Sequence, residues 1–306
     1  MPDLIFRSDM KFDHPLPESL AESAAFLTLQ EQTQLWRAAM LMADSRGAVM
    51  RLTSLFGRQV DAIKNRVFDA GERLGGAAWA DFAQNAREAV EDTLWRSYSL
   101  ATFGLDAAPQ MLRPRQPRSN ALHRFATTAS GMASGFVGLP GVVFDIPFTT
   151  ATIMRSIAEV ARDSGEDLAD EDTRRACLEV LALGGPSRAD DEAETGYWAT
   201  RIGMNHLTVT LLIRAAAGRF GLVVSDKLLA QAVPLAGALA GGALNYAFTD
   251  YYQTMARVHF CLRMLERRTG DPAALSACFT QMVREARNRR RFRRRAPGGT
   301  VFLPAR

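Results

Sequence analysis

Two uncharged, glycine-rich runs constrain what this chain can fold into. One spans Ala126 to Phe144 and leads into GLPGVVFDIP, Gly138 to Pro147. The other spans Leu228 to Thr249, apart from its near neighbour Lys227 free of charge, and contains PLAGALAGGALNYAF, Pro234 to Phe248. Each repeats a small residue at a four-residue interval, Gly131/Gly135 and Gly237/Gly241. Glycines so spaced share one face of a helix and let a second backbone approach closely, in lipid or in a tight core. Each run has the length of a bilayer span, but both are rich in Ala, Gly, Ser and Thr, and proline interrupts them. The expectation is two glycine- and alanine-rich helical hairpins buried in a protein core. Gly131, Gly135, Gly138, Gly141, Gly237, Gly241 and Gly242 should sit at the contacts.

The rest of the chain also reads as helix. Val49, Leu52, Phe56, Val60, Ile63, Val67 and Leu74 recur every three or four residues and draw one apolar stripe. Pro109, Pro114 and Pro117 mark residues 106–118 as a linker. It separates an N-terminal helical region, 1–105, from a glycine-rich core, 119–283, and a basic tail follows over 284–306. Ser119 or Asn120 should cap a helix running to Gly138, and Leu139-Pro140-Gly141 should break it. Asp145 should then cap a helix starting near Pro147 and ending near Asp163. Asp170 suits the N-cap of a helix over Glu171 to Leu183, closed by Gly184-Gly185-Pro186. Further helices are expected from about Asp190 to Arg219 and from about Ala247 to Arg268, with Asp271-Pro272 opening the last one. No alternating apolar pattern with hairpin turns occurs, so the fold class is all-α, a multi-helix globular bundle.

The string GLPGVVFDIPFTTATIMRSIAEVARDSGEDLADEDTRRACLEVLAL, Gly138 to Leu183, resembles the signature of the bacterial EcsC family. The matching residues are Pro140, Gly141, Asp145, Pro147, Arg155, Gly165, Asp167 and Leu168. A second block, PLAGALAGGALNYAFT, is similar at Pro234, Gly237, Gly242, Asn245, Tyr246 and Thr249. The likeness covers roughly residues 85 to 270. It implies a helical fold and a link to the cell envelope, since the family takes its name from a gene beside an ABC transporter. It carries over no catalytic residue.

Charge is divided unevenly. Residues 284–306 hold nine arginines and one acid, a net +8, so a chain of net +4 leaves −4 for the remainder. The densest stretch is RNRRRFRRR, with Arg287, Arg289, Arg290, Arg291, Arg293, Arg294 and Arg295 around Phe292. Three readings stand open: a solvated helix extension, a contact with an anionic membrane surface, or a nucleic-acid arm. Three cysteines, Cys177, Cys261 and Cys278, without metal spacing fit a reducing compartment. The N-terminal MPDLIFRSDMKFDHP lacks an apolar core of a signal peptide, so the expected place is the cytoplasm, including the inner face of the membrane.

Chemistry-bearing motifs are sparse. His14, His123, His206 and His259 form no metal pair, and the acids Asp190, Asp191, Glu192 and Glu194 suit a solvated helix start. No nucleophile elbow, phosphate loop or dinucleotide fingerprint is present. No metal or cofactor is called for. One candidate polar site remains, Asp145, Arg155 and Asn245. A buried Asn245 would need its amide satisfied by a neighbouring helix. The leading expectation is a non-enzymatic protein that is peripheral at the inner membrane face and binds lipid or a membrane-protein complex such as an ABC transporter. The alternatives are a protein-interaction scaffold and a hydrolase-like enzyme using the groups near Asp145 and Arg155.

Overall fold

The computed structural model describes residues 15–44, 88, 91–96, 117–137, 139–183, 208–214, 216–217 and 234–295. Side chains of 117–120, 134–146, 183, 234–241, 244 and 291–295 lie outside that description. Among the described residues every regular element is helical. A 3-10 turn, η1, covers Glu18–Leu20. The helices are α1 at 29–44, α2 at 91–96, α3 at Pro117–Val137, α4 at Leu139–Asp163, α5 at Glu171–Leu183, α6 at 209–214, α7 at Pro234–Thr269 and α8 at Pro272–Arg295. The apolar stripe from Val49 to Leu74, the Gly184-Gly185-Pro186 triplet and the acids at 190–194 lie outside the described residues.

Helix ends follow local chemistry. Thr28 and Glu31 form a capping box at α1. The Glu31 carboxylate accepts from the Thr28 backbone N–H at 2.9 Å and from its hydroxyl at 2.8 Å. Gly165 closes α4 with a positive φ of 86°. Its N–H donates to the Arg162 carbonyl, and that of Glu166 donates to the Ala161 carbonyl, which together make a Schellman turn. Asp167 then accepts from the Ala169 N–H at 2.9 Å, and Leu168 is buried. Asp170 caps α5, accepting from the Asp172 N–H. Gly270, at φ 66°, ends α7 by donating to the Glu266 carbonyl, and Asp271 caps α8 through the Ala274 N–H. The Gly165, Asp167 and Leu168 signature is thus a turn followed by a core anchor.

Three expected boundaries move. The Leu139-Pro140-Gly141 sequence opens α4 rather than breaking the chain, with Gly138 alone between α3 and α4. A proline in a first helical turn gives up an N–H that has no partner there anyway, so Pro140 starts the helix at no cost. Asp145 therefore lies inside α4 and is not its N-cap, and Pro147 sits within the helix, removing one main-chain bond. The glycine-rich segment from Pro234 belongs to a single 36-residue helix and does not precede one starting near Ala247. Alanine-rich sequence tolerates interspersed glycine when packing against neighbours supplies the stability. Finally, α3 begins at Pro117, inside the expected linker.

α7 is the spine of the bundle. At 1.5 Å per residue it is roughly 54 Å long, and every side chain from Tyr251 to Leu262 is buried. A helix buried on all sides lies at the centre of its fold. It packs against α3, α4, α5 and α8. α1 runs antiparallel to it: Glu31 faces Arg268 at 3.6 Å, while the Gln34 carbonyl receives the Cys261 thiol at 3.9 Å. The described residues from Leu20 to Ala43 share one apolar core with α4, α5, α7 and α8.

Candidate functional site

The two glycine-rich runs meet. Gly131 in α3 and Gly242 in α7 are both buried. A Cβ built on Gly242 would lie 2.5 Å from Met132 Cγ and 3.2 Å from the Thr128 carbonyl oxygen, so only a glycine lets α3 come this close. Going along α3, Arg124 bonds Asp250, Thr127 meets Thr249, and Thr128 reaches Gly242, so the two helices are antiparallel. The environments of Gly135, Gly138, Gly141, Gly237 and Gly241 lie outside the described residues.

The same seam carries a buried polar network. Asn245 donates its amide to the Thr127 carbonyl at 2.9 Å and to the Thr149 hydroxyl at 3.1 Å, which ties α7 to both α3 and α4. The Thr127 and Thr249 hydroxyls lie 2.9 Å apart, and that of Thr249 also donates to the Asn245 carbonyl. Asn245 thus finds the partners a buried amide requires. Thr150, the next residue on α4, is buried with its hydroxyl unpartnered among the described residues.

Arg155 belongs to a different level of the bundle. Its Nε lies 3.5 Å from Glu159 Oε1, and His123 Nε2 approaches Glu159 Oε2 at 3.0 Å without hydrogen-bond alignment. From Thr149 to Glu159 along α4 is about 15 Å. The Arg155 pair thus lies within α4, apart from the Asn245 bonds that join α7 to α3 and α4, and the Asp145 side chain lies outside the described residues.

Several buried charged groups escaped sequence reasoning, Glu166 and Glu179 among them. Glu166, just after the α4 turn, faces Arg263 at 3.3 Å and Arg267 at 2.8 Å, both from α7. Glu179 on α5 lies 3.2 Å from Arg175 and 3.7 Å from His259. Breaking such a pair strands a buried charge, so these carboxylates lock α5 and its turn to the spine. The one sequence signal was the four-residue spacing of Arg263 and Arg267. Beside them Cys177 is buried, and burial, then the nearby Glu166 charge, pushes its thiol far up. Burial raises Cys261 to about 12, and it raises Cys278 against a hydrogen bond from Ser23. All three are free thiols in the core, which disfavours thiolate chemistry.

The basic tail starts as part of the fold. α8 carries it in helical form through Arg295, across the expected boundary at 284. Arg290 donates to the Ala43 carbonyl at 2.6 Å and lies 3.4 Å from the Asp44 carboxylate, so it caps the C-terminal end of α1. Arg289 pairs with Glu285 at 2.9 Å and lies over the Trp36 ring at 5.7 Å. Arg287 is half-buried. Side chains of Arg291, Arg293, Arg294 and Arg295 lie outside the described residues.

Among the described residues no His, Cys, Asp and Glu group has the arrangement of a metal site, and no helix is long and apolar enough to cross a membrane. The described molecule is an all-α bundle around a central buried helix, held by a threonine–asparagine seam. The EcsC protein family matches it over residues 79–265, and the chain belongs to that family. No curated protein and no solved structure matched it.

Proposed function

We infer that this protein is a non-enzymatic, peripheral binder of anionic membrane surfaces on the cytoplasmic side, where it engages lipid or a membrane-protein complex. The observation that carries the reading is α8. It extends as one helix through the arginine-rich run, and Arg290 anchors it to the end of α1. The charge beyond that anchor starts from a fixed point on a body of opposite net sign. Each basic residue near an anionic leaflet contributes about 1 kcal/mol, and the attraction weakens as salt screens it. A hydrolase reading has less support, because Arg155 and Asn245 are committed to separate structural contacts.

The test is co-sedimentation with vesicles. The full chain should bind vesicles rich in phosphatidylglycerol, lose binding as salt rises, and ignore phosphatidylcholine vesicles. A chain ending after Arg290 keeps the α1 anchor and should melt at the same temperature while binding much less. Tight binding of duplex DNA or RNA without vesicle binding would overturn the reading in favour of a nucleic-acid arm.

A further inference from the structure

Three helix ends reach the same level at one end of the bundle. Asn245 on α7 bonds Thr127 of α3 and Thr149 of α4. Thr127 and Thr149 are equally far from Gly138 in sequence, so α3 and α4 form a hairpin that folds between Val137 and Leu139. At 1.5 Å per residue, α3 runs about 15 Å beyond the Asn245 seam to Val137, and α4 starts about 15 Å beyond it. α7 starts about 16 Å beyond it at Pro234, beside the hairpin corner, because α3 and α7 are antiparallel. Residues 128–137, 139–148 and 234–244 contain one charged residue, Asp145, which lies about 6 Å from the seam level. The corner reads Phe136-Val137-Gly138-Leu139, and α7 opens with Pro234-Leu235-Ala236. Helix connections that face water carry polar residues, and this corner has none.

Charge collects at the other end and along α8. Glu166, Asp167 and Asp170 follow α4, and Arg263, Arg267 and Arg268 lie in the last turns of α7. The basic run of α8 points the opposite way, toward the uncharged end. α8 is parallel to α1: Cys278 meets Ser23 ahead of α1, Arg289 lies over Trp36, and Arg290 bonds the Ala43 carbonyl. α1 is antiparallel to α7, with the Gln34 carbonyl level with Cys261. From Gln34 to Ala43 is about 14 Å, which brings Arg290 to about the level of Tyr252 on α7. α8 continues about 8 Å farther, so Arg295 stands close to the Asn245 level. The arginine run therefore ends where the uncharged helix ends begin. An anionic leaflet has the same order, phosphate charge outside and about 15 Å of hydrocarbon inside. A soluble partner or a second copy calls for no such stacking of cations and uncharged helix ends by depth.

We propose that the α3–α4 corner and the start of α7 insert together into the acyl region of one anionic leaflet. The arginines of α8 then lie on its phosphates, with the Asn245 seam at the headgroup level. The three helix ends enter from one side and do not cross, in keeping with the absence of a spanning helix among the described residues. This rests on the membrane reading above and gives it a depth and an orientation.

The three native cysteines are buried, so an added cysteine can be labelled selectively. The full chain carrying Leu139→Cys with an environment-sensitive NBD dye reports on the corner. Ala169→Cys, exposed at the opposite end of α4, is the control. Both are mixed with phosphatidylglycerol-rich vesicles, with and without nitroxide-labelled acyl chains, and sedimentation of the same samples reports binding. The expected result is brighter, blue-shifted emission at 139 that the nitroxides quench, and no change at 169. Leu139→Glu and Leu235→Glu, checked for an unchanged melting temperature, should each bind such vesicles roughly tenfold or more weakly, since a carboxylate resists transfer into the acyl region. Sedimentation with vesicles but an unchanged dye at 139 overturns the inserted end and leaves the membrane reading standing. Failure to sediment overturns both. A blue shift at 139 that grows with protein concentration in the absence of lipid assigns this end to a second copy and overturns the proposal. Binding by both glutamate variants equal to that of the unaltered chain does so as well.

Discussion

Thr127 and Thr150 show how the same residue type acts differently at two buried positions. The Thr127 hydroxyl has partners in the His123 carbonyl and Thr249. Thr150 has none among the described residues, though both are buried. Removing a paired buried group leaves its partner unsatisfied, whereas removing an unpaired one relieves a penalty of about 1–3 kcal/mol. Thr150→Val should therefore hold or raise stability by about 1 kcal/mol. Thr127→Val should lower it by about 1–2 kcal/mol, since Thr249 loses a neighbour. Urea denaturation of the two variants checks the opposite signs. Equal destabilisation would mean that Thr150 is satisfied in solution. Sequence placed threonines here, but it could not tell the two roles apart, because residues from other helices determine them.

At the scale of elements, the α3–α7 seam depends on close backbone approach. An alanine at Gly242 would push on Met132, which is partly exposed and can swing aside, and on the Thr128 carbonyl at 3.2 Å, which cannot. Gly242→Ala should therefore cost about 1 kcal/mol, because Met132 must turn away and the Thr128 carbonyl must give by a few tenths of an ångström. Gly242→Leu should cost about 1–3 kcal/mol by forcing the helices apart. Thermal unfolding in the same buffer distinguishes them, and an unchanged Tm for Gly242→Leu would remove Gly242 from the contact. The four-residue pattern named Gly131/Gly135 and Gly237/Gly241, whereas the close approach seen among the described residues is at Gly242, against Met132 and Thr128. Sequence reasoning also misjudged the α4 start, because Pro140 and Gly141 break a helix interior but open a first turn without loss.

At the scale of the whole molecule, the buried thiols connect the core to pH. An unfolded thiol ionises near 9.0, whereas burial holds Cys261 protonated to about 12. Between those values the unfolded chain binds fewer protons than the native one, so stability present below pH 9 is lost as pH rises. Cys177, displaced in the same direction, adds to the effect. Urea unfolding between about pH 8 and 11 should show a steeper alkaline decline for the native chain than for Cys177→Ala/Cys261→Ala, whatever their absolute stabilities. Equal slopes would mean that solvent reaches these thiols.

The sequence by itself determined the elements that short-range chemistry controls. Asp170 and Asp271 cap helices because each bonds N–H groups two or three residues ahead. The all-α class also follows from local periodicity. Tertiary structure alone decided which residues work together. Asn245 bonds Thr127 and Thr149, 118 and 96 residues away, and Glu166 reaches Arg267 across 101 residues. It also separated Arg155 from Asn245. The physical reason is one of range. Caps and turns are satisfied within a few residues of the chain, whereas a buried polar group takes its partner from whichever helix packing brings within hydrogen-bond distance.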